Sequence, residues 1–165
     1  MRFKMIDRIV DLQPGVRIAA EKELRADEDY LRDHFPCFPV MPGVLMLEAM
    51  FQTCMWLVRK SEDFAHAVVI LREARNVKYA DFVQPGQVLC LSAEIIKQDE
   101  RLVTLKAEGK VNGAIAVSGR LILDRFNQAS QSPRLLPVDR HSVAAMRKVF
   151  QELYHPALSG SGVGN

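Results

Sequence analysis

Cysteine is scarce: Cys37, Cys54 and Cys90 are the only three in 165 residues, and no two are spaced as CxxC. An odd, scattered set argues against a disulfide framework or a zinc site and favours a reducing compartment. Lysine and arginine never gather into a run, and the net charge is +2, too small to call for nucleic acid. No uncharged stretch reaches the length of a membrane span. The opening residues, Met1 to Arg8, carry charges where a signal peptide needs an apolar run. The expectation is a cytoplasmic, soluble protein without a nucleic-acid or membrane partner. Internal repeats are also missing. What is present is globular: 48% of residues are hydrophobic and 25% charged, enough for one domain with a real core.

Punctuation and periodicity divide the chain. Residues 3–11 and 15–24 read as short strands separated by Pro14-Gly15. Asp27 to Asp33 reads as a short helix or turn with Asp27 as its cap. A helix is expected from Gly43 to Lys60. Between Val44 and Val58 only Glu48, Gln52 and Thr53 are polar, the pattern of a buried helix. Residues 67–83 read as a long strand, closed by Pro85-Gly86. Strands at 87–97, 101–111 and 115–123 alternate apolar and polar residues. To keep their apolar faces in register, a three-residue loop Asn112-Gly113-Ala114 is expected, with Val111 opposite Ile115 and Leu105 opposite Leu121. The same reasoning pairs Ile95 with Val103. A sheet wrapped around the buried helix is the economical α+β solution. The expected organisation is one domain over 1–125, a linker over 126–137, an amphipathic helix over 138–155 and a disordered Gly/Ser-rich tail over 156–165.

One stretch concentrates the chemistry. His34 enters a loop stiffened by Pro36, Pro39 and Pro42, and Glu48 lies inside the apolar helix that follows. A neutral imidazole is a competent base near neutrality. A carboxylate on an apolar helix is costly to bury unless it is hydrogen-bonded or put to use. Gln52, one turn on, is placed to orient it. The helix start at Gly43 and Val44 leaves backbone N–H groups free to hold a carbonyl oxygen as it gains negative charge. Glycine at 43 permits close approach of a ligand. The bland alternatives are a structural carboxylate, an unremarkable histidine and an ordinary helix start. Met41, Met46, Met50, Phe51, Met55 and Trp56 are expected in the core rather than in an acyl tunnel or a subunit interface. Cys54 and Cys90 read as small buried hydrophobes.

The run His34-Phe35-Pro36-Cys37-Phe38-Pro39-Val40-Met41-Pro42-Gly43-Val44, with Glu48-Ala49 and Gln52, resembles the signature of the 3-hydroxyacyl-[acyl-carrier-protein] dehydratases of type II fatty-acid synthesis. Asn76-Val77-Lys78-Tyr79 and Val83-Gln84-Pro85-Gly86-Gln87-Val88-Leu89 resemble the family's next segment. The resemblance implies a hot-dog fold, a curved antiparallel sheet around a central helix. It also implies a homodimer, with a trimer of dimers as a higher assembly. The active site would form between subunits, with His34 from one chain as base and Glu48 of the other as acid. The Gly43 amide would hold the thioester carbonyl of a 3-hydroxyacyl group borne by acyl carrier protein. Metal and redox cofactor are not implied. Glu rather than Asp at 48 matches the family's dehydratase-only branch.

Cys37 departs from the family pattern, which has glycine there; a need for positive φ or close approach at that point would strain a cysteine. Two other readings of the chain are a hot-dog thioesterase, with Glu48 activating water, and a non-catalytic acyl-binding protein that kept only the fold.

Overall fold

The computed structural model describes residues 3–156, which form six strands and two long helices. In chain order these are β1 (Arg8–Gln13), β2 (Arg17–Glu23), α1 (Gly43–Ser61), β3 (Val68–Tyr79), β4 (Val88–Gln98), β5 (Leu102–Val111), β6 (Ala114–Phe126) and α2 (Leu136–Leu153). All strands pair antiparallel in one sheet of order β1-β2-β4-β5-β6-β3. The sheet's inner face wraps α1, which touches every strand from β2 to β6. This is the hot-dog arrangement. The expected tail lies outside the described residues. Among the described residues no helix is long and apolar enough to cross a membrane.

The core follows from the two periodicities. Leu89, Leu91 and Ala93 of β4, Val103, Leu105 and Ala107 of β5, and Leu121 and Leu123 of β6 all point inward. They meet Met46, Ala49, Met50, Trp56 and Leu57 of α1. Met41, Met46, Met50, Met55 and Trp56 are buried, as a core role requires. The helix is not covered all round, however. Val44 is 69% exposed, and Leu47, Glu48 and Phe51 are only half-buried. Those four positions recur at i, i+3, i+4 and i+7, one continuous stripe.

Several local expectations are corrected. The first two strands begin later than expected, at Arg8 and Arg17. Asp27 caps nothing; it pairs with Arg25, and the short turn that follows is a 3-10 helix over Asp29–Leu31. Cys90 points outward and is exposed, whereas Cys54 is buried. Ile95 lies opposite Leu105, not Val103, because the turn falls later than expected, with Gln98 opposite Val103, and a bulge between Ile95 and Lys97 takes back only one residue of that shift. The β5–β6 hairpin turns in two residues, not three. Asn112 (φ 51°) and Gly113 (φ 80°) both adopt left-handed backbone, which a two-residue primed turn demands. Val111 therefore faces Ala114. The lost register is recovered further along: Lys110 pairs with Ile115 and Gly109 with Val117, leaving Ala116 as an extra residue. Ile115 is consequently exposed, while Leu105 does face Leu121.

The polar stretch after β6 is compact, with two 3-10 turns (Gln128–Ser130 and Pro133–Leu135) leading into α2. Val149, Phe150 and Leu153 of α2 are buried, and Val143 and Met146 pack beside them. The Phe150 ring packs at a tilt against Trp56 and edge-on against Phe64. Arg147 holds the Asp63 carboxylate at 2.9 Å and its carbonyl at 2.6 Å. Asp63 and Phe64, both at positive φ, form the sharp turn that ends α1. Beyond α2, Tyr154 bridges Ile9, and the His155 N–H donates to the Ile9 carbonyl at 3.0 Å. The C-terminal segment thus pairs with the β1 edge at Ile9, and among the described residues nothing pairs with the outer edge of β3.

Gly109 sits where the hairpin bulge begins. A Cβ there would meet Leu89 Cδ1 at 2.8 Å and Val117 Cγ1 at 2.9 Å. Gly109→Ala is expected to lower stability by roughly 1–3 kcal/mol through overpacking. A denaturant midpoint unchanged from the wild type would contradict this packing.

Candidate active site

The His34 loop is fastened at both ends. Before it, buried Lys22 binds Glu28 at 2.6 Å and Asp7 at 3.4 Å, and Leu31 plugs into the core. After it, the Met41 N–H donates to the Val83 carbonyl at 2.9 Å. Between these anchors Phe35 takes a left-handed φ of 48°, and the Phe38 N–H closes a turn onto the Phe35 carbonyl at 2.8 Å. Pro36 occupies the first central position, which suits its fixed φ. Cys37 occupies the second. It is exposed and is not among the residues at positive φ, so the loop carries its backbone strain at Phe35, next to the histidine, and not at the cysteine.

His34, half-buried, lines a cavity of about 270 Å³ together with Phe35, Val40, Met41, Gly43 and Met46, and with Tyr79 to Phe82 from the far side. Phe38 and Phe82 pack edge to face at 5.6 Å beside it. The start of α1 opens onto this cavity. Pro42 is the N-cap, with no side chain capping the helix. Leu45 and Met46 donate to the Pro42 carbonyl. Among the described residues nothing accepts a hydrogen bond from the Gly43 or Val44 amide. Two free donors at the positive end of a nineteen-residue helix make a site for a negatively charged oxygen.

Glu48 does not line the His34 cavity. It lies two residues after Met46, roughly 200° round the helix, on the uncovered stripe. Gln52 holds it there: the Gln52 Nε2 donates to Glu48 Oε1 at 2.8 Å and to the Phe3 carbonyl at 3.0 Å, while its Oε1 accepts from the Met5 N–H at 2.9 Å. Gln52 is 1% exposed. It is a buried node tying the chain's first segment to the carboxylate, and it touches no part of the cavity. One chain therefore brings His34 and Gly43 together, leaves Val44 outside the cavity lining, and keeps Glu48 with Gln52 elsewhere. Among the described residues no group of three or more His, Cys, Asp or Glu side chains is arranged to hold a metal ion.

Tyr79 is the cavity residue that residue-by-residue reading missed. Its ring carbons Cε1 and Cδ1 lie 3.1 and 3.2 Å from where a Gly43 Cβ would be. Glycine at 43 is thus filled from outside by an aromatic ring. No sequence spacing reveals this contact, because it depends on where β3 ends. The bulged residue Ala116 decides that: its carbonyl accepts from the Ala80 N–H at 2.8 Å and the Asp81 N–H at 3.3 Å.

A curved sheet around a helix, with a histidine loop at the helix start and a carboxylate on its open stripe, defines a hot-dog protein of the dehydratase type. A family model described as a FabA-like domain matches residues 1–123, and the chain belongs to this family. A 3-hydroxyacyl-[acyl-carrier-protein] dehydratase FabZ of Ruminiclostridium cellulolyticum is 33% identical over 119 residues, covering 72% of this chain and 84% of that one. The protein of the same name from Levilactobacillus brevis is 36% identical over 116 residues, covering 70% and 78%. Among solved structures, the dehydratase heterocomplex ApeI:P from Xenorhabdus doucetiae shares the fold with a TM-score of 0.63 at 19% identity, over 81% of this chain and 90% of that one. A Streptococcus mutans protein bound to acetyl CoA shares it with a TM-score of 0.60 at 11% identity, over 77% and 94%.

Two outcomes are expected. Gln52→Leu leaves the Met5 amide and the Phe3 carbonyl without their partner and should cost about 1–3 kcal/mol of stability, measurable by denaturant unfolding. Cys37→Gly should leave the melting temperature within a few degrees of the wild type, since the cysteine is exposed and its φ is negative; a large drop in a thermal melt would show a structural role for the sulfur.

Proposed function

We propose that this protein dehydrates a (3R)-3-hydroxyacyl thioester, carried on acyl carrier protein in fatty-acid synthesis, to the trans-2-enoyl thioester and water. The family and its named relatives support the reaction class. The observation that carries the residue roles is the separation of His34 from Glu48 within one chain, each beside an unpartnered surface. On α1, Val44 is exposed and Leu47, Glu48 and Phe51 are only half-buried, and among the described residues nothing pairs with the outer edge of β3, twelve residues long. Two copies meeting at these surfaces would bring Glu48 of one chain to the His34 cavity of the other. The isologous contact of a two-fold dimer forms two such sites at once.

In that site the thioester carbonyl sits on the Gly43 and Val44 amides. His34 takes a proton from C2, and the electron pair moves toward the carbonyl, whose growing charge the helix start stabilises. As the enolate collapses, the C3–O bond breaks. Glu48 of the other chain, held by its own Gln52, supplies the proton that lets the hydroxyl leave as water. The proton taken by His34 returns to Glu48 through solvent before the next turnover.

His34→Ala and Glu48→Gln are each expected to lower turnover at least ~100-fold, the usual worth of a positioned acid or base, while circular dichroism and gel filtration stay those of the wild type. The assay follows enoyl-thioester absorbance from a 3-hydroxyacyl carrier substrate. Full activity in either variant would overturn the assignment, and free thiol release without enoyl product would mean a thioesterase.

A further inference from the structure

We infer that Tyr79 sets the substrate range of this site by rejecting acyl chains branched at C2; this rests on the reading of the site just given. A thioester carbonyl on the Gly43 and Val44 amides, with its C2 hydrogen presented to His34, must place C2 between the helix start and the histidine. That space is the 270 Å³ cavity, and Tyr79 is part of its wall. The ring lies against Gly43 itself, with Cε1 3.1 Å and Cδ1 3.2 Å from the position of a Cβ there. On that reading a substituent on C2 would project into the space that Gly43, His34 and the Tyr79 ring share as walls. Unlike a side chain free to swing with its backbone, this ring hangs from a fixed strand end. Tyr79 pairs with Val117, and the next two amides, of Ala80 and Asp81, both donate to the Ala116 carbonyl.

No hydrogen bond engages the Tyr79 hydroxyl among the described residues, and the side chain is half exposed, at 50%. The ring, not the hydroxyl, is therefore the selective element. A straight chain passes beneath it. A methyl group on C2 meets the ring from one side and His34 from the other. Rejection of one extra carbon by a fitted apolar wall is worth tenfold or more in this kind of pocket.

The test compares affinity for two unreactive probes, butyryl and 2-methylbutyryl thioesters of the carrier protein, with the wild type, Tyr79→Phe and Tyr79→Ala. The wild type and Tyr79→Phe should bind the straight probe about tenfold or more tightly than the branched one, and Tyr79→Ala should bring the two within about twofold of each other. Equal affinities in the wild type, or undiminished discrimination in a folded Tyr79→Ala, would overturn the inference. Dehydration of 3-hydroxybutyryl and 2-methyl-3-hydroxybutyryl carrier substrates is measured alongside. Discrimination in binding without any dehydration would sink the proposed reaction and leave the role of Tyr79 standing.

Discussion

A helix that is apolar on nearly every face needs cover on every face, and a single curved sheet cannot provide it. The inner faces of β2 to β6 and the flanking segments bury Met46, Ala49, Met50 and the run from Gln52 to Arg59. They leave Val44 exposed and Leu47, Glu48 and Phe51 only half-buried. Everything about the candidate site follows from how α1 is rolled in that trough. Its start at Gly43 faces the His34 cavity, and the same roll turns Glu48 away from that cavity. On the proposed reading, the uncovered stripe is both the reason a second subunit is needed and the means of delivering its acid. The two free edges of the sheet are treated differently as well. The C-terminal segment pairs with β1 at Ile9, while among the described residues nothing pairs with the outer edge of β3, which leaves one edge for a partner.

Precision at the site comes from contacts made far along the chain. The two-residue hairpin at Asn112-Gly113 forces a bulge at Ala116, and the bulged carbonyl catches the end of β3. That catch places Tyr79 over Gly43. At the other end of the site Gln52 uses its whole amide, bonding the Phe3 carbonyl, the Met5 amide and Glu48. A side chain so fully committed and so deeply buried has little rotamer freedom, and the carboxylate it holds inherits that order.

The fold was legible where periodicity is strong. Alternation placed β4, β5 and β6 within a few residues, and the apolar run placed α1 and its start at Gly43. The C-terminal helix showed its buried face in Val143, Met146, Val149, Phe150 and Leu153. What failed was local register. The hairpin pattern is compatible with a three-residue loop or with a two-residue turn and a later bulge, and apolar faces alone do not separate them; Asn-Gly favoured the turn through its left-handed backbone. Cys90 faces outward, against the usual burial of cysteine, because its neighbours Leu89 and Leu91 take the inner face of the alternating strand. In the candidate site, the His34 loop, the helix start and Glu48 stood out as residue types in a pattern. Tyr79 did not, since its role rests on a tertiary contact with a glycine. The concern that Cys37 would need glycine's backbone freedom dissolves once the turn is seen to put its positive φ at Phe35.

The central claim is that each active site takes His34 from one subunit and Glu48 from the other. The most direct measurement mixes two inactive variants, His34→Ala and Glu48→Gln, under conditions where subunits exchange. Random reassortment puts one intact pair of residues into the mixed dimers, so roughly a quarter of wild-type dehydratase activity should return. If both residues act within one chain, every site in the mixture lacks one of them, and no activity will reappear.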